Sequence, residues 1–452
     1  MISTIQSGSH LSIDYKTRHL MHKMLSPVCG LVQEIGFIKR NKFGARILTA
    51  GADITGVHTL LNRENPGRGA YHTGGGGIFL NEPIIKSLGE TIERYAQLLS
   101  ELTSKEEFVF STYEEMTMKY DNVLSKEYLD LYTAEQLNKE NFPYDKFNPS
   151  LSLSWVKVRR IDTQEYFWIP AQFLFVGYHV KKNLNEPWYS TAVTTGTAAH
   201  TDQASVLLNS ILEIIQIDSA MGHWYSNYEA PEIVFDKRTR PMQEILRKYD
   251  NEEHNSIRFF WLRNPDLLGF SIACVLEKPE TCIPRVSIGL GASTTLNDAL
   301  YKAYLEAIGV SYLNSILILK DKLYNKGEKD IKLDNIYDID TNVAMYGKGY
   351  NYNRIAQRFN GRDRIVASEM DADIQGSTID QFKKLLSSFS KSGKELLFTD
   401  LSNIEAKELG FYVSRLWCKD TLSLCFPSAP PINHPRFIKY GGLAHDEPHP
   451  YP

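Results

Sequence analysis

The chain has 452 residues, 42% of them hydrophobic and 12% aromatic, and a formal net charge of −4. A large core is affordable, the length is a soft prior for two or three domains, and so small a charge gives no electrostatic case for nucleic acid as a partner. The opening residues MISTIQSGSHLSIDYKTRH lack a basic segment followed by an apolar one, and no apolar run approaches the ~18–20 residues of a membrane helix, so a soluble cytoplasmic protein with no membrane span is expected.

Residues 84–99 predict the first informative helix. At roughly 100° per residue, Leu88, Ile92, Tyr95 and Leu99 form one stripe with Ile84 and Ile85 beside it. Ser87, Glu90, Glu93 and Arg94 lie on the far side, which alone would suit a solvated face with i,i+3 and i,i+4 charge pairs. The preceding GGGGIFLNEP offers Asn81 as N-cap and Pro83 in the first turn. TGGGG at 73–77 reads either as a flexible loop or as one bringing N–H groups to phosphate. The polar stretch 119–149 reads as a surface insertion or helical hairpin.

Residues 202–217 predict a second helix. Around Asn209, the residues Asp202, Ser205, Glu213 and Gln216 fall within roughly 40°, while Val206, Leu207, Ile211, Ile214 and Ile215 fill most of the rest. A helix apolar nearly all round is buried, so its one polar strip faces the interior or a cleft; Thr201 is the expected cap. RFFWL and FSIACVLEK, within 258–277, have the composition of strands. GLGAST at 289–294 reads as a glycine turn. A third helix, 298–310, places Asp298, Lys302 and Glu306 on one strip against Ala299, Leu300, Ala303, Tyr304, Leu305, Ala307 and Ile308, with Asn297 or Thr295 as cap. The stretch 320–341 reads as a second surface insertion. Cys29, Cys274, Cys282, Cys418 and Cys425 are widely spaced and lack metal-binding spacing, so reduced, packed thiols are expected. His200, His223, His434 and His445 have no distinguishing spacing and are expected to be structural or exposed.

Clustered carboxylates repel each other, and an unpaired buried one costs several kcal/mol. If the three strips converge, something cationic compensates them. Glu90, Glu93, Glu213 and Glu306 with Gln216 are hard oxygen donors suited to Mg²⁺, and Arg94 and Lys302 are too few to neutralise them. Basic residues beside such a cluster suit a polyphosphate lying between them and the metal. The residues therefore predict a Mg²⁺–nucleotide site built from helix faces. No GxxxxGK[ST] loop, dinucleotide GxGxxG unit or kinase HRD/DFG set competes.

These segments resemble the YcaO family. Ser87-Leu-Gly-Glu90-Thr-Ile-Glu93-Arg94 matches its SxxExxER motif, Asn209-Ser-Ile-Leu-Glu213-Ile-Ile-Gln216 resembles the NxxxE motif, and Lys302-Ala-Tyr-Leu-Glu306 resembles the RxxxE motif. The resemblance implies an α+β fold, with mixed sheets and packed helices around a Mg²⁺–ATP cleft. Within it Glu90, Glu93, Glu213, Gln216 and Glu306 face metal, and Ser87, Arg94, Asn209 and Lys302 bind nucleotide. Two positions depart from the pattern: Gln216 stands where many members carry glutamate, and Lys302 replaces a forked arginine by a point charge. The ending Pro448-His-Pro450-Tyr-Pro452 has the composition of a polyproline II rod. It resembles the tail that azoline-forming members, including those of streptolysin-S-like pathways, direct into the active site, which implies a catalytic position for Pro448, Pro450 and the Pro452 carboxylate.

The organisation implied is an N-terminal extension over 1–24, one YcaO domain over 25–440, and a proline-rich tail over 441–452. The activity implied is ATP-dependent conversion of Cys, Ser or Thr in a ribosomally made precursor peptide to thiazolines or oxazolines. Thioamide- or amidine-forming chemistry, or a catalytically silent scaffold, are the alternatives. The partners implied are the precursor peptide, an E1-like leader-peptide-binding protein, an FMN-dependent dehydrogenase and a second copy of the chain.

Overall fold

The computed structural model describes residues 12–38, 44–64, 71–104, 106–250, 255–324 and 335–451. The first sheet holds β1 (Gly36–Phe37), β2 (Leu48–Asp53) and β3 (His72–Gly77), in that spatial order. Next along the chain come β4 (Phe108–Thr112), β5 (Ser152–Arg160), β6 (Tyr166–Pro170) and β7 (Thr197–His200). A further sheet follows from β8 (Glu232–Val234), β9 (Ser256–Trp261), β10 (Phe270–Glu277), β11 (Val286–Ser293) and β12 (Arg364–Val366), and the chain adds β13 (Leu397–Asp400) and β14 (Tyr412–Trp417). Strand orders are β4-β5-β13-β14-β7, with β6 also on β5, and β11-β10-β9-β8-β12. The β8–β12 pair is parallel, and the other ladders are antiparallel. The fold is α+β with mixed sheets, as expected.

Three helices set the site: α1 (Asn81–Leu98), α2 (Gln203–Tyr225) and α3 (Leu296–Tyr324). Three others bear on the tail and the flank of α2: α4 (Ile339–Gly347), α5 (Tyr352–Phe359) and α6 (Thr378–Lys391). β10 is buried along nearly its whole length and β11 along all of it. Ile272, Cys274 and Leu276 face Leu300, Ala303 and Tyr304 of α3, whereas Ala273, Val275, Ile288 and Leu290 face Ala220, Met221 and Trp224 of α2. Period-two alternation thus serves two cores at once.

The glycine runs are strands, not loops. A Cβ on Gly289 would strike the backbone of Ala307, and one on Gly291 the backbone of Ala299 and Ala303, so these glycines let α3 lie directly on β11. A Cβ on Gly75 of β3 would come within 2.6 Å of Pro83 O and 2.7 Å of Lys86 Cβ. TGGGG is therefore the seat of α1. Composition suggested turns because glycine's commonest use is conformational, whereas here its use is its missing side chain.

Other expectations are corrected. Asn81 does not cap α1: Leu80 holds the cap position, and Asn81 exchanges hydrogen bonds of 2.9 and 3.1 Å with Asp14. Asp202, not Thr201, caps α2 through Ser205 N at 2.8 Å, while Thr295 sits as expected at the start of α3. Ile85 is exposed. The 119–149 stretch is not a helical hairpin: Lys126, Glu127, Glu135, Glu140, Asp145 and Lys146 are exposed as a surface insertion would have them, but Tyr128, Tyr132, Tyr144 and Phe147 are buried against the first core. Residues 325–334 of the second polar stretch lie outside the described residues. α2 is long and apolar enough to cross a membrane by length and composition, contrary to the reading that no run comes close. Its Ile211, Ile214, Ile215, Met221 and Trp224 are instead buried in protein.

Residues 443–451 dock as a strap. The preceding 3₁₀ helix Pro435–Tyr440 is fixed by Arg436, 3% exposed, whose guanidinium bonds Asp218 of α2 at 2.6 Å and Asp266 at 2.8 Å. From there Trp224 Nε1 donates to Glu447 O at 3.0 Å, Tyr346 Oη to Pro448 O, and Asn342 Nδ2 to His449 O. Pro448, His449, Pro450 and Tyr451 are all buried, whereas Pro452 lies outside the described residues.

Candidate active site

Each of the three sheets ends in a strand beside a helix carboxylate: β3, β7 and β11 are edge strands. Glu90 Oε2 accepts Gly74 N of β3 at 2.7 Å, while its Oε1 pairs with Arg94 at 2.8 Å. Arg94 Nη1 also donates to His72 O at 2.9 Å. Glu93, on the same helix, faces the backbone of Ala199 in β7. Glu213 of α2 faces the backbone of Gly196 and Thr197, and Glu306 of α3 that of Leu290 in β11. Edge N–H groups are unpaired donors by nature. Here the edges of three sheets turn the acids of three distant chain segments toward one another.

The acids feel one another. Burial pushes Glu93 well above the usual carboxylate range, and the charges of Glu213 and Glu90 push it further. Burial raises Glu213 to about 8, with Arg415 opposing and Glu306 adding. Glu306 also rises to about 8 by burial, with Glu90 contributing. Glu90, Glu93, Glu213 and Glu306 therefore form a closed electrostatic ring. None is sealed off, since each keeps partial solvent contact while crowded by protein.

Cations stand around this ring. Lys302 Nζ donates to Ala292 O at 3.0 Å, and burial lowers its pKa. Lys86 Nζ donates to Gly76 O at 2.8 Å and lies over the Tyr301 ring; burial lowers it, and the nearby charge of Lys302 lowers it more. Both lysines are exposed as whole residues although protein crowds their ammonium groups. Arg415 of β14, 1% exposed, donates to Val193 O at 2.6 Å; burial lowers it to about 10, while Glu213 and Glu93 draw it back up.

The sequence-predicted residues are thus largely gathered. Glu90, Glu93, Arg94, Glu213 and Glu306 meet, Lys302 lies one turn before Glu306 on α3 with its ammonium on Ala292 O, and Asn209 and Gln216 are half-buried on the polar strip of α2. Ser87 is 0% exposed, under Gly75, and its hydroxyl has no partner among the described residues. Pro448 and Pro450 lie in the strap, which contacts the C-terminal turns of α2. Glu213 precedes Trp224 on that helix by about 16 Å of axial rise. Sequence reading missed Lys86 and Arg415. Lys86 directly precedes Ser87 and was readable as a cation at the motif's edge; Arg415 arrives through a strand far along the chain, and nothing local marked it.

The donor set fits Mg²⁺: hard oxygens, excess negative charge, and raised acids that a divalent cation would discharge. Among the described residues no three His, Cys, Asp or Glu side chains are grouped so as to hold an ion by themselves. A metal completed by phosphate oxygens and water accords with that spacing.

Residues 75–418 match the model of the YcaO cyclodehydratase family, described as ATP- and Mg²⁺-binding. No curated protein sequence matches the chain. Among solved structures, a heterocyclase in complex with substrate and cofactor superposes with a TM-score of 0.70 at 15% identity, over 98% of this chain and 58% of that one. YcaO from Methanopyrus kandleri, bound with AMPPCP and Mg²⁺, gives 0.59 at 15% identity, over 96% and 94% of the two chains. The E. coli microcin synthetase McbBCD complex with pro-MccB17 bound gives 0.59 at 15%, over 92% and 96%. The chain spans 58% and 50% of the length of the two heterocyclases it matches. At such identities the likeness speaks for the fold. The family match covers about three quarters of the sequence and takes in all three site helices, and on that ground the chain belongs to the YcaO family.

Proposed function

We propose that the protein is an ATP-dependent peptide cyclodehydratase that converts Cys, Ser or Thr residues of a ribosomally made precursor peptide into thiazolines or oxazolines. The observation that carries this reading is the ring of Glu90, Glu93, Glu213 and Glu306 beside three edge strands, paired with Arg94 and with Lys302 one turn from Glu306 on α3. Glu90, Glu93, Glu213 and Glu306, with Gln216, would hold Mg²⁺. When bound, the ion supplies charge neutralisation on the transferred phosphoryl group. Arg94, Lys86 and Lys302 bind the polyphosphate, and Asn209 orients it from the polar strip of α2.

In the reaction a substrate thiol or hydroxyl attacks the preceding backbone carbonyl, and the resulting amide oxyanion takes the γ-phosphoryl group of ATP, releasing ADP. Loss of that oxygen as phosphate closes the C=N bond of the ring, with the amide proton and the nucleophile's proton passing to base. An amide oxygen leaves poorly until it is phosphorylated, so one ATP is consumed per ring. The strap, with Pro448 and Pro450 stiffening it, directs the end of the chain at Pro452 toward the reacting peptide.

The proposed partners are the precursor peptide, an E1-like leader-binding protein, an FMN-dependent dehydrogenase that oxidises the rings, and a second copy of the chain. That the E. coli neighbour is a multiprotein complex with a peptide bound supports this arrangement. The proposed location is the cytoplasm. The test combines the purified protein with its leader-binding partner, the precursor peptide and Mg·ATP, followed by mass spectrometry. Loss of one water mass per ring is expected; an unmodified peptide in the full mixture would favour a silent scaffold. Lengthening the C-terminus by a few residues should stop ring formation. Ring formation that survives the extension would overturn the catalytic role given to the tail.

A further inference from the structure

Residues 190–193, residues 423–425 and the end of β14 at Arg415 and Trp417 enclose a cavity of about 70 Å³, with Tyr132, Tyr144 and Cys418 also in its wall. That is room for a few water molecules or one small side chain. Ser190, Thr191, Val193 and Ser423 are only half-buried, so the cavity opens to solvent on their side. Its wall is almost free of uncompensated charge. Burial raises Cys418 and Cys425 to about 12 and lowers His434 to about 4, which leaves two protonated thiols and a neutral imidazole. Lys419 is paired with Asp420 at 3.1 Å and with Glu395 at 3.5 Å.

Arg415 is the exception. Its Nη1 donates to Val193 O at 2.6 Å and to Thr197 Oγ1 at 3.4 Å. Its Nε is buried and, among the described residues, has no hydrogen-bond partner. An orphaned buried donor is costly, the more so on a charged group, and an acceptor entering the cavity that Arg415 lines would satisfy it. The charges of Glu213 and Glu93 reach the same guanidinium. From Val193 in the cavity wall the chain runs on to Gly196 and Thr197, whose backbone faces Glu213. The cavity therefore adjoins the carboxylate ring on the side of β7 and β14. Lys86 and Lys302 rest on β3 and β11 instead, through Gly76 O and Ala292 O. A polyphosphate held by those lysines leaves the β7 side for the second reactant.

We propose that this cavity receives a small uncharged side chain of the precursor peptide, that of the residue preceding the one that cyclises, and that Arg415 Nε donates to a main-chain carbonyl oxygen of the same peptide. The proposal rests on the reading of the ring as a Mg²⁺–nucleotide site acting on a peptide. The cyclising residue's own side chain is consumed at the ring, so the neighbouring one is free to enter. An aromatic and thiol wall suits an apolar group, the volume rejects a large one, and a single charged donor fixes the register of the peptide.

Methylthiolation of Cys425 by methyl methanethiosulfonate, read by mass spectrometry on the whole chain with exposed Cys29 as internal reference, reports occupancy of the cavity without turnover. With Mg·AMPPCP bound, acetyl-Gly-Ala-Ser-Gly-amide at millimolar concentration should slow the modification of Cys425 severalfold. Acetyl-Gly-Trp-Ser-Gly-amide should not, and Mg·AMPPCP alone should leave the rate unchanged. Ser423→Leu narrows the cavity and should abolish protection by the alanine peptide, measured against its own peptide-free rate, while Mg·AMPPCP still binds. Arg415→Lys keeps the charge but loses Nε, and should weaken the apparent affinity for the alanine peptide about tenfold. Should Arg415→Lys fail to fold, Ser423→Leu and the pair of peptides carry the same comparison. Protection by nucleotide alone, or equal behaviour of the alanine and tryptophan peptides, would overturn the proposal. Protection by the alanine peptide in a chain whose full mixture yields no loss of water supports the pocket and counts against the azoline reading instead.

Discussion

Glu213 and Glu306 stand near 8 in the folded chain against 4.5 for an unperturbed glutamate, so the folded protein holds protons that the unfolded chain releases. Their contribution to stability is complete below the unfolded value and is lost as pH rises through about 8. The charged groups around them, Glu90, Glu93, Arg94 and Arg415, leave no cationic excess. The metal-free protein should therefore show a thermal midpoint that falls between about pH 5 and pH 8, and saturating Mg²⁺ with a non-hydrolysable nucleotide should remove most of that slope. A metal-free midpoint rising over this interval would contradict the electrostatics. Glu213→Gln keeps shape and removes a charge. It should cut turnover by roughly 10²-fold or more while leaving the metal-free midpoint at pH 8 unchanged or higher, as followed by ATP consumption and calorimetry. At this scale the sequence was informative where helical spacing spoke. Glu213 and Glu306 were separable from solvated charge because their helices are apolar on the remaining faces, whereas Glu90 and Glu93 lie on an amphipathic helix and were legible only through the recurrence of the pattern and the SxxExxER motif. Arg415 was not, because a lone arginine in a strand carries no periodic signal and its proximity to Glu213 arises only when β14 pairs with β7.

At the scale of elements, what places Lys302 and Glu306 is the close seat of α3 on β11. Gly291→Ala forces a Cβ into the backbone of Ala299 and Ala303. Overpacking of this kind costs about 1–3 kcal/mol, and lifting α3 should weaken nucleotide binding as well as stability; unfolding in urea with a nucleotide titration of the surviving folded protein measures both. An unchanged midpoint would mean that α3 yields freely. The three helices and the β9–β10 strands were legible from periodicity and β-branched content. The strands at 72–77 and 286–293 were not, because glycine in a strand is indistinguishable from glycine in a turn until the helix that needs the space is known. The buried aromatics of 119–149 were hidden for a related reason: Tyr128, Tyr132 and Tyr144 are separated by charged residues without a regular period, and they meet only in the folded chain.

Across the whole molecule, the site exists because three sheets end beside it, and the strap ties the C-terminal turns of α2 to α4 and α5. Deleting residues 444–452 uncovers Trp224 and Tyr225, both 0% exposed, and removes the hydrogen bonds from Trp224, Tyr346 and Asn342. The truncated chain should unfold several degrees earlier and lose ring formation, yet retain Mg²⁺–nucleotide binding, because the carboxylate ring lies on the other half of α2. Loss of nucleotide binding in a truncated chain that remains folded would show that strap and ring are one unit. The central claim is that acids on α1, α2 and α3 serve a single metal–nucleotide site, and binding of Mn²⁺ in the presence of AMPPCP, followed by electron paramagnetic resonance, tests it most directly. Glu90→Gln, Glu213→Gln and Glu306→Gln, one from each helix, should each weaken the same nucleotide-dependent binding by about tenfold or more. Three variants that bind Mn²⁺ and nucleotide as the unaltered protein does would contradict it.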